Sequence, residues 1–348
     1  MNDTDRSAGA AGALKRLWQD SPLFSTGVAL LVMVVLQTAA LGFDYASPGA
    51  WLWAWFNNWL NILRNNAVIG IIALGMTLVI ISGGIDLAVG ATMVGVGNIM
   101  MVIMEPAATG LLYPLGITGL PAMLIALAAC LASGVAIGSL IGVTVTKGRV
   151  PPFIATLGAM NIIRSVAQQA MTGRIAPKVP AEFMQLSNAV IGGLRFLPIL
   201  YWLIAAVALY VVSRHTAFGR YVYAVGSNER TTRLSGISVD AVKMKVYGLM
   251  GLIVSVAAIV ETARMGSMNT SNAGTGYELD AIAAVVVGGT SMAGGRGSIA
   301  GTVMGMLIIA VMNNLLNLIG VPSFLRNAFK GAIVVAAVLI QRKERADG

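Results

Sequence analysis

"AVIGIIALGMTLVIISGGIDLAVGATMVGVGNIMMVIM", residues 67–104, decides the fold. Its apolar residues form one long block, without the polar alternation of a half-buried strand. The block is about twice the roughly 20 residues that one helix needs to cross a hydrocarbon layer. One interruption divides it, "ISGGIDLAVGA" (81–91), where Gly83 and Gly84 loosen a helix and Asp86 places a carboxylate near membrane depth. Lipid supplies no water to backbone polar groups, so spanning chains are helices or closed barrels. Continuous apolar blocks fit helices and not barrel strands. The reading is an all-α polytopic membrane protein.

The remaining chain repeats this pattern. Of 348 residues, 57% are hydrophobic and only 11% are charged. Apolar blocks predict spans at 22–41, 67–82, 88–104, 121–145, 152–170, 197–212, 243–262, 279–294, 298–318 and 327–340, about ten in all. A net charge of +9 suggests nucleic acid in a soluble protein. In a membrane protein the same excess marks loops on the cytoplasmic side. With both termini inside, inside segments hold fifteen of the twenty-three Lys and Arg residues. The loop 171–196 argues back, carrying Arg174, Lys178 and Arg195 on the outside. The division that follows is a cytoplasmic tail (1–20), a transmembrane unit (21–340) with an inside loop at 213–242, and a second tail (341–348). The first apolar block is long, so it reads as a span and not as a cleaved signal. Cys130 is the single cysteine, which excludes an internal disulfide.

Segment 42–66 holds four of the six tryptophans, and such rings favour the headgroup layer, so it is expected either to lie along the outer leaflet or to form an extra packed re-entrant turn. Gly134, Gly138 and Gly142 recur every fourth residue, as do Gly301 and Gly305; this spacing lets helix backbones approach closely in lipid. "VPPFIATLGAM" (150–160) and "VPSFLRNAFKG" (321–331) echo one another from opposite sides, as an inverted repeat would.

Catalytic constellations are missing. "VVGGTSMAGGRGSIAG" (286–301) has Gly289 and Gly294 five apart, but Gly295 and Arg296 follow where a phosphate loop needs Lys and Ser or Thr. It reads as a tight glycine turn. Glu278 and Asp280 sit where a span begins and suit a helix N-terminus. The lone histidine, His215, is remote from both. Asp86 is expected to accept hydrogen bonds from the free N–H groups opening the next helix, or to shape a helix break beside a pathway with Gly83 and Gly84. Arg164, inside a span, needs an acid, a carbonyl or a watery path. Asn98, Thr156, Asn161, Asn313, Asn314 and Asn317 are polar and uncharged within spans, as are Gln168 and Gln169. Each either ties helices together or lines a path for a polar, uncharged solute.

"GSNERTTRLSGISVDAVK" (226–243) has five charges in eighteen residues, between two spans. Asn228 is placed to cap a short helix over Glu229–Leu234, with Gly236 ending it and Ser238 opening the next. Leu234 and Ile237 are expected to be its apolar contacts. Such a knob suits a groove on a cytoplasmic partner.

The stretch "GSNERTTRLSGISV", with "GGIDLAVG" and "ELDAIAAVVVGGTSMAGGRGS", resembles the signatures of permease subunits of ribose-type sugar ABC importers. The likeness runs from about residue 65 to 340. Ala88 stands where the family often has serine, and Thr231 and Thr232 where it often has alanines. The resemblance implies a permease of about ten helices in the bacterial inner membrane, paired with a second copy or a paralogue. ATP would be hydrolysed by separate cassette ATPases, with no cofactor bound to this chain. A periplasmic binding protein would deliver the sugar. Asn228, Glu229, Arg230, Thr231, Thr232, Arg233, Leu234, Ser235 and Gly236 would form the coupling helix. The rival readings are a secondary transporter driven by an ion gradient and a branched-chain amino-acid ABC permease.

Overall fold

The computed structural model describes residues 22–172, 177, 179–322, 325, 328, 329, 331, 332 and 335. Twelve α-helices are named within them: α1 (Pro22–Leu41), α2 (Pro48–Ile81), α3 (Val89–Met104), α4 (Gly119–Thr146), α5 (Pro152–Met171), α6 (Ala181–Asn188), α7 (Leu197–His215), α8 (Ala217–Ser227), α9 (Glu229–Leu234), α10 (Val239–Met265), α11 (Tyr277–Val287) and α12 (Ile299–Leu318). Six are long and apolar enough to cross a membrane: α1, α2, α4, α7, α10 and α12. The chain is a polytopic helical membrane protein. The tails, and most of the span expected at 327–340 with its 321–331 echo, lie outside the described residues.

Four expectations change, the first being that the span expected at 88–104 forms α3, apolar but only 16 residues long and so not one of the six. Segment 42–66 does not lie apart from the following span, because α2 is one 34-residue helix from Pro48. Ser47 caps it, accepting from the Ala50 N–H at 3.2 Å, and proline takes the first helical position, where its missing N–H costs nothing. No proline follows within it and the chain first turns at Gly83, so the helix runs about 51 Å. The span expected at 279–294 is cut short: α11 has 11 residues, about 17 Å, roughly half of a hydrocarbon core. Its apolar run continues into Gly288 and Gly289, but Gly289 takes φ +85° and turns the chain. Segment 152–170 does form a helix of 20 residues, α5, yet it is too polar to stand among the six apolar spans.

The core is α2, α10, α3 and α11, sheathed by α4 and α12. The glycines of α4 do what their spacing predicts. β-Carbons on Gly134 and Gly138 would overlap carbonyl oxygens of Gly251 and Tyr247, so α4 and α10 touch backbone to backbone. Gly301 and Gly305 meet α11 in the same way. Ser255 seals the α4 seam by donating to the Cys130 carbonyl at 2.9 Å.

Two triplets share one plan. A long helix (α2 or α10) is followed by an irregular return segment, a short helix (α3 or α11) and another long helix (α4 or α12). The two run in opposite senses: α2 ends where α10 begins, at the end of the bundle bearing residues 226–243, hereafter the insert end. α3 packs on α10 and α11 packs on α2.

Candidate functional site

At the insert end, α9 forms as its sequence dictates. The Asn228 side chain accepts from the Thr231 N–H at 3.0 Å, and Gly236 at φ +81° ends the turn, donating to the Arg233 carbonyl at 3.1 Å. Ser238 caps α10, accepting from the Ala241 N–H at 3.4 Å. Two ion pairs lash α9 to α10: Arg233 to Asp240 at 3.2 Å, and Lys243 to Glu229. Such exposed pairs are worth about 0–1 kcal/mol each, so they orient more than they stabilise. Thr232 is buried and Ile237 packs on the core, but Leu234 does not. It is 82% exposed, a leucine held out at the tip of a six-residue helix.

Sequence reading missed α8, behind this knob. Its signal was present: Thr216 as cap, accepting from the Gly219 N–H at 3.1 Å, then Val222 and Val225 buried on one face. Tyr223 donates to the Gly297 carbonyl at 2.8 Å; burial raises its phenol pKa, with Arg214 opposing, so it stays a donor. The last turn of α8 then meets two other segments. A β-carbon on Gly226 would collide with the Ile81 carbonyl oxygen and lie 2.6 Å from the Gly295 nitrogen. The Gly295 N–H itself donates to that Ile81 oxygen at 2.9 Å. The glycine turn 288–298, the end of α2 and the base of the knob therefore join through main-chain atoms.

From that junction the segment 82–88 returns into the bundle. Asp86 is 4% exposed and accepts from the Ala88 N–H at 2.8 Å, at the start of α3. Gly83 takes φ +82°, and Gly84 lies under the Tyr247 hydroxyl, which donates to the Ile85 carbonyl at 3.3 Å. From the opposite end, residues 266–276 return to meet it. β-Carbons on Gly90 and Gly274 would each press on the other's carbonyl oxygen. Because α11 starts only about 17 Å from the insert end, this crossing lies near half depth. Arg164 braces the return segment, donating to the carbonyls of Thr270 (3.1 Å) and Ala273 (2.8 Å). Asn98 does so too, at 3.0 Å from the Thr270 hydroxyl.

The other in-span polar residues separate into two groups. Asn314 exchanges hydrogen bonds with Asn58 at 3.1 and 3.2 Å, joining α12 to α2. Thr156 is buried and donates to its own helix at Pro152. Asn314 and Asn98 thus tie separate segments of the bundle together, and Thr156 does not. Asn313 has a buried amide oxygen without a partner among the described residues. Asn317 is exposed near the end of α12, and Asn161 is exposed on α5. Asn161 is not alone: Ser165, Gln168 and Gln169 are exposed on the same helix, and Thr172 at its C-cap. A polar exposed face on a bundle helix is costly against lipid. Sequence reading also missed Glu261, 6% exposed on α10, which pairs with Arg264 at 3.0 Å and accepts from the Tyr277 hydroxyl at 3.3 Å. Its signal was the Glu–Arg spacing of three on one helix face. Among the described residues, no three His, Cys, Asp or Glu side chains are grouped to hold a metal ion.

A family model described as "Branched-chain amino acid transport system / permease component" matches residues 58–338. The ribose import permease protein RbsC of Escherichia coli K12 is 41% identical over 321 residues, 91% of this chain and 93% of that protein. RbsC of Bacillus subtilis is 40% identical, with 83% and 86% covered. The xylose transport system permease protein XylH of Escherichia coli K12 is 31% identical, with 91% and 93% covered. No solved structure matches the chain. The chain belongs to this family of transport-system permease components, in which ribose and xylose permeases are its relatives.

Proposed function

We propose that this chain is the permease subunit of an ATP-driven ABC importer that carries a simple sugar across the bacterial inner membrane. The similarity to ribose and xylose permeases over most of the chain carries the reading. It is a non-catalytic transport subunit, and ATP is hydrolysed on separate ATPase subunits. The amino-acid permease and ion-driven readings are not favoured. The polar face of α5 offers amides and hydroxyls, which suit a neutral hydroxylated solute, and Asp86 and Arg164 are committed to backbone groups.

The finer topology belongs to the same proposal: about ten transmembrane helices, both termini inside, and α2–α3–α4 related to α10–α11–α12 as an inverted repeat. The insert end is then cytoplasmic. α9 is the coupling helix, with Leu234 as the apolar contact offered to an ATPase groove. The main-chain junction at Gly226 passes its displacement to both return segments. A binding protein delivers sugar at the opposite end. A second permease, identical or paralogous, faces the α5 stripe across the path, so that Asn161 and Gln168 line it and Asn98 and Asn314 do not.

Purification of the tagged protein in mild detergent, with mass spectrometry and an ATPase assay, tests the reading. Recovery of a cassette ATPase with vanadate-sensitive activity is expected. A permease recovered alone that accumulates sugar on an ion gradient overturns it. Glu229→Pro is a second test, since proline removes no helical hydrogen bond at N1 but Glu229 is lost as the partner of Lys243. Uptake is expected to fall about fivefold with the protein still inserted, a change of about 1 kcal/mol in barrier, the upper end for such a pair. Normal uptake by this variant counts against coupling through α9.

A further inference from the structure

At the end opposite the insert, a recess of about 610 Å³ opens between the last turns of α5 and the start of the return segment 266–276. Gln168, Thr172, Ser267, Asn269, Thr270 and Ser271 line it, with Met171 and Met268 as its apolar walls. Among the described residues, no charged side chain lines it. This differs from the other grooves of the bundle, such as the one between α3, α4 and α5, where Asn98 is the sole amide among aliphatic residues.

We infer that this recess is an entry subsite for a neutral, polyhydroxylated solute, occupied before the solute reaches the α5 stripe. The inference rests on the transport reading above. Its volume falls within the range of small-molecule sites, roughly 300–1,000 Å³, with space for one sugar ring and water. Its chemistry is one of donors and acceptors without net charge. Gln168, Ser267 and Ser271 are exposed to it, and their side chains have no hydrogen-bond partner among the described residues. Ring hydroxyls exchange hydrogen bonds with amides and alcohols, whereas the two methionines offer polarisable surface to the C–H face.

The recess is also held in shape. Asn269 accepts from the N–H groups of Ser271 (3.0 Å) and Asn272 (3.2 Å), fixing the turn. Thr270 is tied to Asn98 through its hydroxyl and to Arg164 through its carbonyl. Its position explains the polarity: Gln168 and Thr172 belong both to the recess and to the exposed stripe of α5, so the two surfaces are continuous. Below it the Gly90–Gly274 crossing closes the way at half depth.

The test uses the complete importer, permease with its ATPase and binding protein, in proteoliposomes. The probe is whichever of radiolabelled D-ribose, D-xylose and D-glucose the wild type carries fastest. Ser271→Val and Gln168→Leu remove the free hydroxyl and amide at the recess, and Asn161→Leu removes an amide further along α5. Ser271→Val is expected to raise KM about tenfold with maximal uptake and binding-protein-stimulated ATPase unchanged, and Gln168→Leu to raise KM by a similar factor. The conservative Gln168→Asn is expected to restore most of the loss, which a folding defect would not permit. If both recess variants transport normally while Asn161→Leu is slowed, the path stands and the subsite is overturned. If the recess variants lose ATPase stimulation by the binding protein, the recess seats that protein and is not a sugar site. If none of the three variants changes uptake, or the wild type carries none of the sugars, the transport-path reading fails and the subsite with it.

Discussion

Gly226→Val is expected to lower sugar uptake at least about 100-fold while the protein still inserts, a loss of about 2.7 kcal/mol or more in coupling. Two facts force this. The added side chain would occupy the volume of the Ile81 carbonyl oxygen, and backbone cannot move aside as a flexible side chain does. Separating the segments also breaks the hydrogen bond from the Gly295 N–H to that oxygen, leaving a buried acceptor unsatisfied at about 1–3 kcal/mol. The damage is local, because α8 packs against the insert-end turns of the bundle and the long helices keep their own packing. ATPase activity in the reconstituted complex should therefore persist but no longer respond to binding protein and sugar. Wild-type uptake by this variant would show that the α8 junction transmits nothing. Gly49→Ala is the control, since its β-carbon meets nothing closer than the Ser47 hydroxyl at 3.9 Å.

Gly138→Leu should act on stability instead. Its β-carbon would overlap the Tyr247 carbonyl oxygen and sit 3.1 Å from the Cα of Gly251, so α4 and α10 must separate. In lipid, helix association depends on close van der Waals packing, with no hydrophobic gain to compensate for a gap. Separation also draws Ser255 from the Cys130 carbonyl. A loss of about 3 kcal/mol is expected, the upper end of the usual range for overpacking. Thermal unfolding in detergent should show a clearly lowered midpoint, and the amount of protein in the membrane should fall. An unchanged midpoint would mean that the glycine seam does not hold the two helices together.

Features governed by local chemistry were legible in the sequence. The α4 seam was visible in three glycines spaced by four. Helix α9 was visible with both ends, because Asn228 and Gly236 act within a few residues of themselves. Asp86 was read as a helix-opening acceptor for the same reason. What was not legible depends on depth and facing. Hydropathy counts the apolar residues of α11 together with Gly288 and Gly289, so it reports a span where the chain turns after eleven helical residues. Tryptophan enrichment suggested that 42–66 lies at a headgroup layer, but could not tell a helix lying on such a layer from one rising through it. Among the in-span amides, composition cannot separate Asn314, bonded to Asn58, from Asn161, which is exposed. Leu234 was read as a contact because leucine usually is one; the structure turns it outward, where only a partner could cover it.

The main-chain junction behind α9 has a further consequence, for inheritance. A contact made of carbonyl oxygens and N–H groups carries no record of side-chain identity beyond its demand for glycine. The outward residues of the knob, Arg230 and Leu234 among them, are therefore free to diverge as an ATPase surface diverges, without disturbing how motion enters the bundle. Such a permease can exchange one motor for another by changing a few exposed side chains. Its transmission stays fixed.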